Sequence, residues 1–305
     1  MHPTHTPPSP RPVSPAARRT SRHAHATVLR PSRRTPFVGA LAFCGLLIAL
    51  TPAVAQLPAD TTDPQRILRA ARDRDSGQRV SAQMRMTIRE AGAAERVRTM
   101  RTWALRFEGG VRTLAVFESP ADIREMGLLT VDHFDATRDD EQWLYMPAMR
   151  RTTRISTASR SGAFAGSDFS FADFTLPDPE RYDARLVRSG EQVGDERTWH
   201  IELTPREART QRETGYTRME LWIGQRSLLA LRTKAYTSRS GVVKYVQVAG
   251  VRQVSGVWMP QQVVARTLRG ETLLSETVLE QVSVNVGDSS VNERLFTPAR
   301  LERGL

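Results

Sequence analysis

Alternation of apolar and polar residues, repeated along most of the chain, constrains this fold more than any other sequence feature. In the segment 198–204, for example, Trp199, Ile201 and Leu203 occupy every second position, and polar residues lie between them. Because successive side chains of a strand point to opposite faces, this period of two predicts strands with one apolar and one wet face. A sheet of that kind must close on itself, receive a helix or hold an apolar ligand.

The alternating pattern begins after Gly77, and turn residues separate its segments. We predict strands at 84–88, 97–107, 111–117, 128–134, 142–146, 152–156, 182–187, 198–204, 217–223, 228–236, 242–254, 257–268 and 272–286. The expected turns are at Gly109-Gly110, Ser189-Gly190, Gly194-Asp195, Ser240-Gly241, Ser255-Gly256 and Arg269-Gly270. Strands joined by short turns favour an antiparallel meander. The fold class is therefore mainly β with few helices (α+β).

Only three short helices are predicted. Asp63-Pro64 is typical of a helix start, because Asp can cap and Pro fits the first turn, and Gly77 is a candidate end. The apolar face of this helix consists of Ile67, Leu68 and Ala71. A second helix is expected to begin at Ser119-Pro120 and end near Gly127, and a third to cover 291–295. So few helices leave room for a cavity beside the sheet.

The net charge of +11 is placed mostly at the N-terminus. Residues 1–34 contain seven arginines and no acidic residue. The rest of the chain contains 37 basic and 33 acidic residues. The charge is therefore weak evidence for nucleic-acid binding, and no nucleic-acid partner is expected. The apolar run 37–50 and the small residues Ala53-Val54-Ala55 follow, which together are typical of a secretory signal peptide.

We therefore predict a signal peptide at 1–55 with cleavage after Ala55, a linker at 56–62 and a single domain at 63–305. Arg33-Arg34 leaves both the general secretory and the twin-arginine export routes open. Cys44, the only cysteine, lies inside the apolar run and would leave with the signal, so neither disulfides nor thiolate chemistry is expected in the exported chain. The predicted location is the periplasm.

Neither a catalytic nor a metal site is apparent in the exported part. His200 lies on a polar strand face, where we expect it to be solvent-exposed, and His133 with Asp135 is a weak metal candidate without a second histidine. Hydrolase, metalloprotease and nucleotide-binding motifs are missing from the sequence. We expect no enzyme activity, no metal and no cofactor.

The segment 143–174 differs from the surrounding scaffold. It contains an arginine cluster (Arg150, Arg151 and Arg154, followed by Arg160), which fits either a phosphate or carboxylate contact or a solvated sheet edge. Residues 156–162 are small and polar, typical of a mobile loop, and Ser167 or Asp168 could cap a short helix after them. Four phenylalanines then follow closely: Phe164, Phe169, Phe171 and Phe174. They could form a flap over an apolar cavity or dock on the sheet.

Several motifs in this region resemble those of outer-membrane lipoprotein-sorting proteins, the LolA-like superfamily. Residues 143–147 read WLYMP, Arg151 and Arg154 follow, and residues 164–173 read FAGSDFSFAD. Upstream FESP at 117–120 and downstream LFTP at 295–298 also match, so the resemblance spans roughly 67–301. The sequence departs from the pattern at Ala165, where a bulkier residue is typical.

The resemblance implies an incomplete antiparallel β-barrel wrapped around an apolar cavity, with short helices as a lid. It implies a periplasmic carrier that binds acyl chains of lipoproteins or other lipids, with transient membrane contact. An inner-membrane lipid exporter of the resistance-nodulation-division type is a further candidate partner. The alternatives are an accessory subunit that docks such an exporter and a structural envelope protein without cargo. The candidate ligand-binding residues are Trp143, Tyr145, Arg150, Arg151, Arg154, Phe164, Phe169, Phe171 and Phe174.

Overall fold

The computed structural model describes residues 57–303, and one antiparallel sheet of 13 strands dominates it. The sheet consists of two meanders, β1–β6 and β7–β13, joined side by side through the pairing of β1 with β13. In residues 57–303 the outer strands β6 and β7 do not pair with each other, so the barrel is incomplete. This confirms the fold class expected from the sequence. The predicted signal peptide and Cys44 lie outside the described residues.

The strand bounds agree with the alternating segments to within two residues, except that β1 and β7 are longer than predicted. The first meander is β1 Arg79–Glu90, β2 Arg96–Phe107, β3 Gly110–Ser119, β4 Gly127–His133, β5 Glu141–Met146 and β6 Arg151–Arg154. The second is β7 Tyr182–Val193, β8 Glu196–Pro205, β9 Tyr216–Gly224, β10 Ala230–Thr237, β11 Val242–Val254, β12 Val257–Arg269 and β13 Thr272–Val286. The predicted turn at Gly194-Asp195 is confirmed, and the first hairpin turn consists of Glu108 and Gly109, one residue earlier than predicted.

One face of the sheet, here called the inner face, carries most of the apolar side chains. The register aligns Ile201 of β8 with Leu221 of β9, and both are almost fully buried. Helix α1 (Pro64–Asp73) packs on this face through Ile67 and Leu68. As expected, Asp63 caps α1 by accepting from the backbone N–H groups of the first turn. The helix ends at Asp73, before Gly77.

The chain between the two meanders, residues 155–181, is called the crossing segment. It leaves the edge strand β6 and enters the opposite edge strand β7, and Phe164 in its middle is fully buried against Met86 and Phe117 of the inner face. The crossing segment therefore lies over the inner face. It contains only single-turn 3₁₀ helices, because its backbone bonds largely to itself and to the sheet.

The outer face of β3–β5 is covered by the C-terminal segment. Helix α3 (Pro298–Glu302) and the 3₁₀ turn Glu293–Leu295 place Phe296 and Leu301 against Leu114 and Leu129. The predicted C-terminal helix at 291–295 is thus shorter than expected and is followed by a second one, while Leu295 and Phe296 pack as predicted.

The helix predicted from Ser119-Pro120 to Gly127 is wrong. Residues 121–125 form turns, and the N–H of Glu125 donates to the carbonyl oxygen of Phe117 at 2.8 Å. The N–H of Phe117 in turn donates to Met126 at 2.9 Å. The segment therefore forms hydrogen bonds with β3. These bonds are favoured over a helix that is too short to nucleate by itself.

Two further local predictions need correction. Ser189-Gly190 is not a turn but an irregularity inside β7, where the register shifts and Gly190 adopts a φ of 83°. The link from β8 to β9 contains a helix that the sequence did not indicate, α2 (Ala208–Thr214). Gly215 ends α2 in the left-handed region. None of the helices in the described part of the chain has the length and hydrophobicity needed to span a bilayer.

Candidate functional site

Asp168 anchors the crossing segment to the inner face. Its side chain is buried and accepts hydrogen bonds from the hydroxyl groups of Thr267, Ser275 and Thr277, at 2.7 Å for Thr277. The backbone N–H of Asp168 also donates to Thr277 at 2.9 Å. Buried charge requires such saturation, because an unpaired carboxylate away from water is costly. The two strands β12 and β13 therefore hold this part of the crossing segment in place.

Asp173 forms a second anchor with β9 and β11. The Nζ atom of Lys244 donates to Asp173 Oδ2 at 2.8 Å and to the hydroxyl of Tyr216 at 2.6 Å, and that hydroxyl donates to Asp173 Oδ1 at 2.6 Å. Burial, followed by the Asp173 carboxylate, raises the pKa of Tyr216, so the phenol retains its proton. Ser170, not Ser167 or Asp168, caps the short turn that carries Asp173.

Three of the four phenylalanines pack together over the first meander. Phe164 stacks on Phe117 with ring centroids 5.6 Å apart, and its ring edge meets Phe174 at 4.9 Å and Phe171 at 5.8 Å. Phe169 contacts this group only through Phe174, at 6.1 Å. The phenylalanines thus fill the space between the crossing segment and the inner face on this side.

Over the second meander the crossing segment leaves a cavity of about 290 Å³, called the apolar cavity. Phe169 and Ala172 of the crossing segment line it on one side. Its floor is the inner face of β9–β12: Met219, Leu221, Ala235, Val246, Val248 and Val263. A concave site with an apolar floor and a few polar groups is the usual form of a ligand pocket.

Two ion pairs contribute side chains to the lining of the apolar cavity. Arg72 of α1 contacts Asp178 at 3.1 Å, and Arg181 contacts Glu213 of α2 at 2.9 Å. Close by, burial and then the neighbouring Asp140 raise the pKa of Asp132 to about 6, although Arg72 opposes this. Burial also raises the pKa of Asp140. Burial thus stabilises the protonated forms of these two carboxylates relative to solvent-exposed ones.

The structure does not bring all the predicted site residues together. Trp143 and Tyr145 point to the outer face of β5, where they pack with the C-terminal segment. Arg150, Arg151 and Arg154 are exposed on or beside the edge strand β6, and none of them lines the apolar cavity. Of the phenylalanines, only Phe169 lines it. A role of the other residues in ligand binding stays a prediction.

Arg160 and the loop before it make contacts that the sequence did not indicate. Arg160 is buried, binds Glu213 of α2 and donates to the carbonyl oxygen of Asp140, so it does not share the exposed arginine cluster. The adjoining stretch, predicted as a mobile loop, forms a 3₁₀ turn at Thr157–Ser159. The ion pair between Arg160 and Glu213 ties the crossing segment to α2.

Sequence reasoning missed the roles of Asp173, Lys244 and Tyr216, and of Asp168 as an anchor. One signal for Lys244 was available: it occupies an inner-face position, between Val242 and Val246, in an otherwise apolar period. A lysine at such a position needs a buried partner. The partner itself could not be identified, because Asp173 lies 71 residues away in the chain.

The two histidines of the described residues have different surroundings. His200 is not solvent-exposed as predicted: it stacks on Trp222 with centroids 4.0 Å apart, and its Nε2 lies 3.0 Å from Glu220. His133 is buried, and its Nε2 is 4.0 Å from Glu141. Burial and the nearby Arg138 lower the pKa of His133. Within residues 57–303 there is no cluster of His, Cys, Asp and Glu side chains suited to a metal ion.

Comparisons with known proteins bear on this fold. A family model whose description reads "Uncharacterized protein" matches residues 109–303, more than half of the chain. Curated protein sequences give no match. A DUF1329 family protein from Desulfovibrio piger is similar in structure, with 26% identity, a TM-score of 0.69 and coverage of 79% of this chain and 100% of that one.

Two further solved structures share the fold. An outer membrane lipoprotein-sorting protein domain from Vibrio parahaemolyticus has 24% identity and a TM-score of 0.70, covering 81% of this chain and all of its own. A LolA superfamily protein from Nitrosomonas europaea has 18% identity and a TM-score of 0.57, covering 78% of this chain and 98% of its own. These matches show that the chain has the fold of these proteins, and the match over residues 109–303 shows that it belongs to the family described as "Uncharacterized protein".

Proposed function

We propose that this protein is a periplasmic carrier that binds acyl chains of lipoproteins or other lipids and moves them between the membranes of the cell envelope. The observation that carries the proposal is the apolar cavity between the inner face and the crossing segment. Burial of an acyl chain is favourable by about 0.8 kcal/mol per methylene. A dry cavity can therefore hold a lipid chain that water cannot.

The size of the apolar cavity limits what it accepts. Its volume of about 290 Å³ lies at the lower end of the range for ligand pockets, roughly 300–1,000 Å³. One chain is the natural occupant, and a cargo with several chains requires the crossing segment to move away from β9–β12. The anchors at Asp168 and Asp173 set the cost of that movement.

The alternatives are an accessory subunit for a lipid exporter and a structural envelope protein, neither of which needs a cavity for cargo. The apolar floor favours the carrier, because a sheet face with no ligand is normally filled by side chains. An exporter as partner and transient contact with a membrane remain part of the proposal. Catalysis is not part of it.

The first test is lipid mass spectrometry of the protein purified from a bacterial periplasm after expression of the full chain. We expect co-purifying acylated molecules at near-stoichiometric amounts. Protein that is free of lipid and also fails to take up a fluorescent fatty acid would contradict the carrier function and favour the accessory subunit.

A matched pair of variants locates the binding. Val248→Phe places a ring in the apolar cavity and is expected to reduce fatty-acid uptake at least tenfold. Val187→Phe makes the same substitution at an exposed position of β7, where the valine is 40% exposed, and should leave uptake unchanged. Equal uptake by both variants would place the ligand elsewhere.

A further inference from the structure

A second cavity, called the polar cavity, adjoins the apolar one. Its volume is about 640 Å³. Phe169, Thr214, Tyr216 and Lys244 line both cavities, so these four side chains lie between them. Hydroxyl groups are frequent in the lining of the polar cavity: Ser161, Ser170, Thr237, Ser238, Thr267 and Ser275. An apolar space and a polar space thus meet at these four side chains.

The two cavities also differ in charge. The polar cavity is lined by three cationic side chains, Arg212, Arg239 and Lys244, against one carboxylate, Asp168, which gives a net charge of +2. The apolar cavity is lined by four cationic and four carboxylate side chains, with a net charge of zero. Only the polar cavity therefore has an excess of positive charge.

This excess is available to a ligand. The single carboxylate, Asp168, is already saturated by three hydroxyl groups, and Lys244 is held by Asp173. Arg212 and Arg239 are exposed, and no carboxylate of residues 57–303 lies within ion-pair distance of either guanidinium. Two guanidinium groups without a carboxylate partner suit an oxyanion, because arginine binds phosphate and carboxylate through paired N–H groups.

We infer that the two cavities together hold one single-chain amphiphile with an anionic head. The acyl chain lies on the floor of the apolar cavity, and the phosphate or carboxylate head binds Arg212 and Arg239 in the polar cavity. Phe169 and Lys244 lie where the chain meets the head, with the ring next to the methylenes and the ammonium next to the oxygens. The inference rests on the proposed function and adds the class of head group.

The test uses displacement of N-phenyl-1-naphthylamine, an uncharged fluorescent probe, from protein purified from the periplasm. The competitors share an oleoyl chain and differ in the head: lysophosphatidic acid, oleate and monoolein. Glycerol 3-phosphate serves as a head without a chain. We expect the two anionic amphiphiles to displace the probe at about tenfold lower concentration than monoolein, as two charge-assisted contacts predict. Glycerol 3-phosphate should not displace it.

A pair of matched variants distinguishes binding of the anionic head from binding of the acyl chain. Arg212→Ala/Arg239→Ala is expected to reduce the preference for anionic heads to below threefold and to leave monoolein unchanged. Arg188→Ala/Arg252→Ala removes two exposed arginines of β7 and β11 and should keep the full preference.

Three results would overturn the inference. Monoolein could compete as well as the anionic amphiphiles in the wild-type protein, or the Arg212/Arg239 variant could keep the preference. Glycerol 3-phosphate could bind as tightly as lysophosphatidic acid in direct calorimetry, which would make the polar cavity a site for free phosphate. If no oleoyl compound displaces the probe, the proposed carrier function itself fails. The three results above contradict only the head-group inference, so the two failures can be told apart.

Discussion

The inner face of the sheet is apolar over both meanders. The crossing segment packs differently on the two halves of this face. Over β1–β4 it inserts Phe164 among Met86, Ile88 and Phe117, all of which are almost fully buried. Over β9–β12 it presents smaller and polar side chains, such as Ala172 and Thr175, and a cavity of about 290 Å³ remains. The same strand pattern therefore gives a filled core in one half and a ligand-sized space in the other, and the covering segment makes the difference.

The filled half should be the source of stability. Phe164→Ala removes a fully buried ring that contacts three other phenylalanines, and we expect the free energy of unfolding to fall by about 3–5 kcal/mol. Urea denaturation followed by tryptophan fluorescence measures this. Leu221→Ala, in the floor of the cavity, should cost less, because one side of that leucine already faces open space. Equal losses would mean that the two halves do not differ.

The anchors should control the boundary between the halves. Asp168→Asn weakens the contacts with three hydroxyl groups, and we expect a loss of about 1.5–3 kcal/mol, the usual range for hydrogen bonds to a charged group. Hydrogen exchange should increase in residues 164–174 more than in β9–β12. As a control, Asp195→Asn in the exposed turn after β7 should change neither quantity. Uniform exchange would show that Asp168 does not hold this segment locally.

The charged groups around the apolar cavity should respond to pH. Burial raises the pKa of Asp132 to about 6, so the folded protein binds this proton more tightly than the unfolded chain does. The free energy of unfolding should therefore rise as pH falls from about 6 to about 4, by an amount on the order of 2 kcal/mol. Asp132→Asn should flatten the profile in that window. An unchanged profile would assign the effect to another group, and Asp140 is the next to test.

The smallest effect is expected at the edge of the first meander. Replacing Arg150, Arg151 and Arg154 together by Ala should change stability by no more than about 0.5 kcal/mol, because these side chains are exposed. Cargo affinity should stay within twofold of wild type if the anionic head lies in the polar cavity. Weaker binding in the same displacement assay would instead support the head-group role that the sequence suggested for them.

Much of the scaffold follows from the sequence alone. The period of two sets which residues of each strand share a face, and glycine-containing turns set where most strands end. For this reason Trp199, Ile201 and Leu203 could be assigned to one face in advance. The GSDF and WLYMP motifs carried the resemblance that indicated the LolA-like fold. These are local signals, or long motifs that can be read without coordinates.

Only the tertiary structure decided where the crossing segment lies and where a cavity remains beneath it. The partners of Asp168 lie 99–109 residues away in the chain and those of Asp173 lie 43 and 71 residues away, and no local pattern encodes such pairings. For the same reason the sequence grouped Phe164 with Trp143, although the two lie on opposite faces of the sheet. The sequence by itself determined most of the strands and which residues of each strand share a face. The cavity depends on how a segment of 27 residues packs across a sheet of 13 strands, and that is set by long-range contacts.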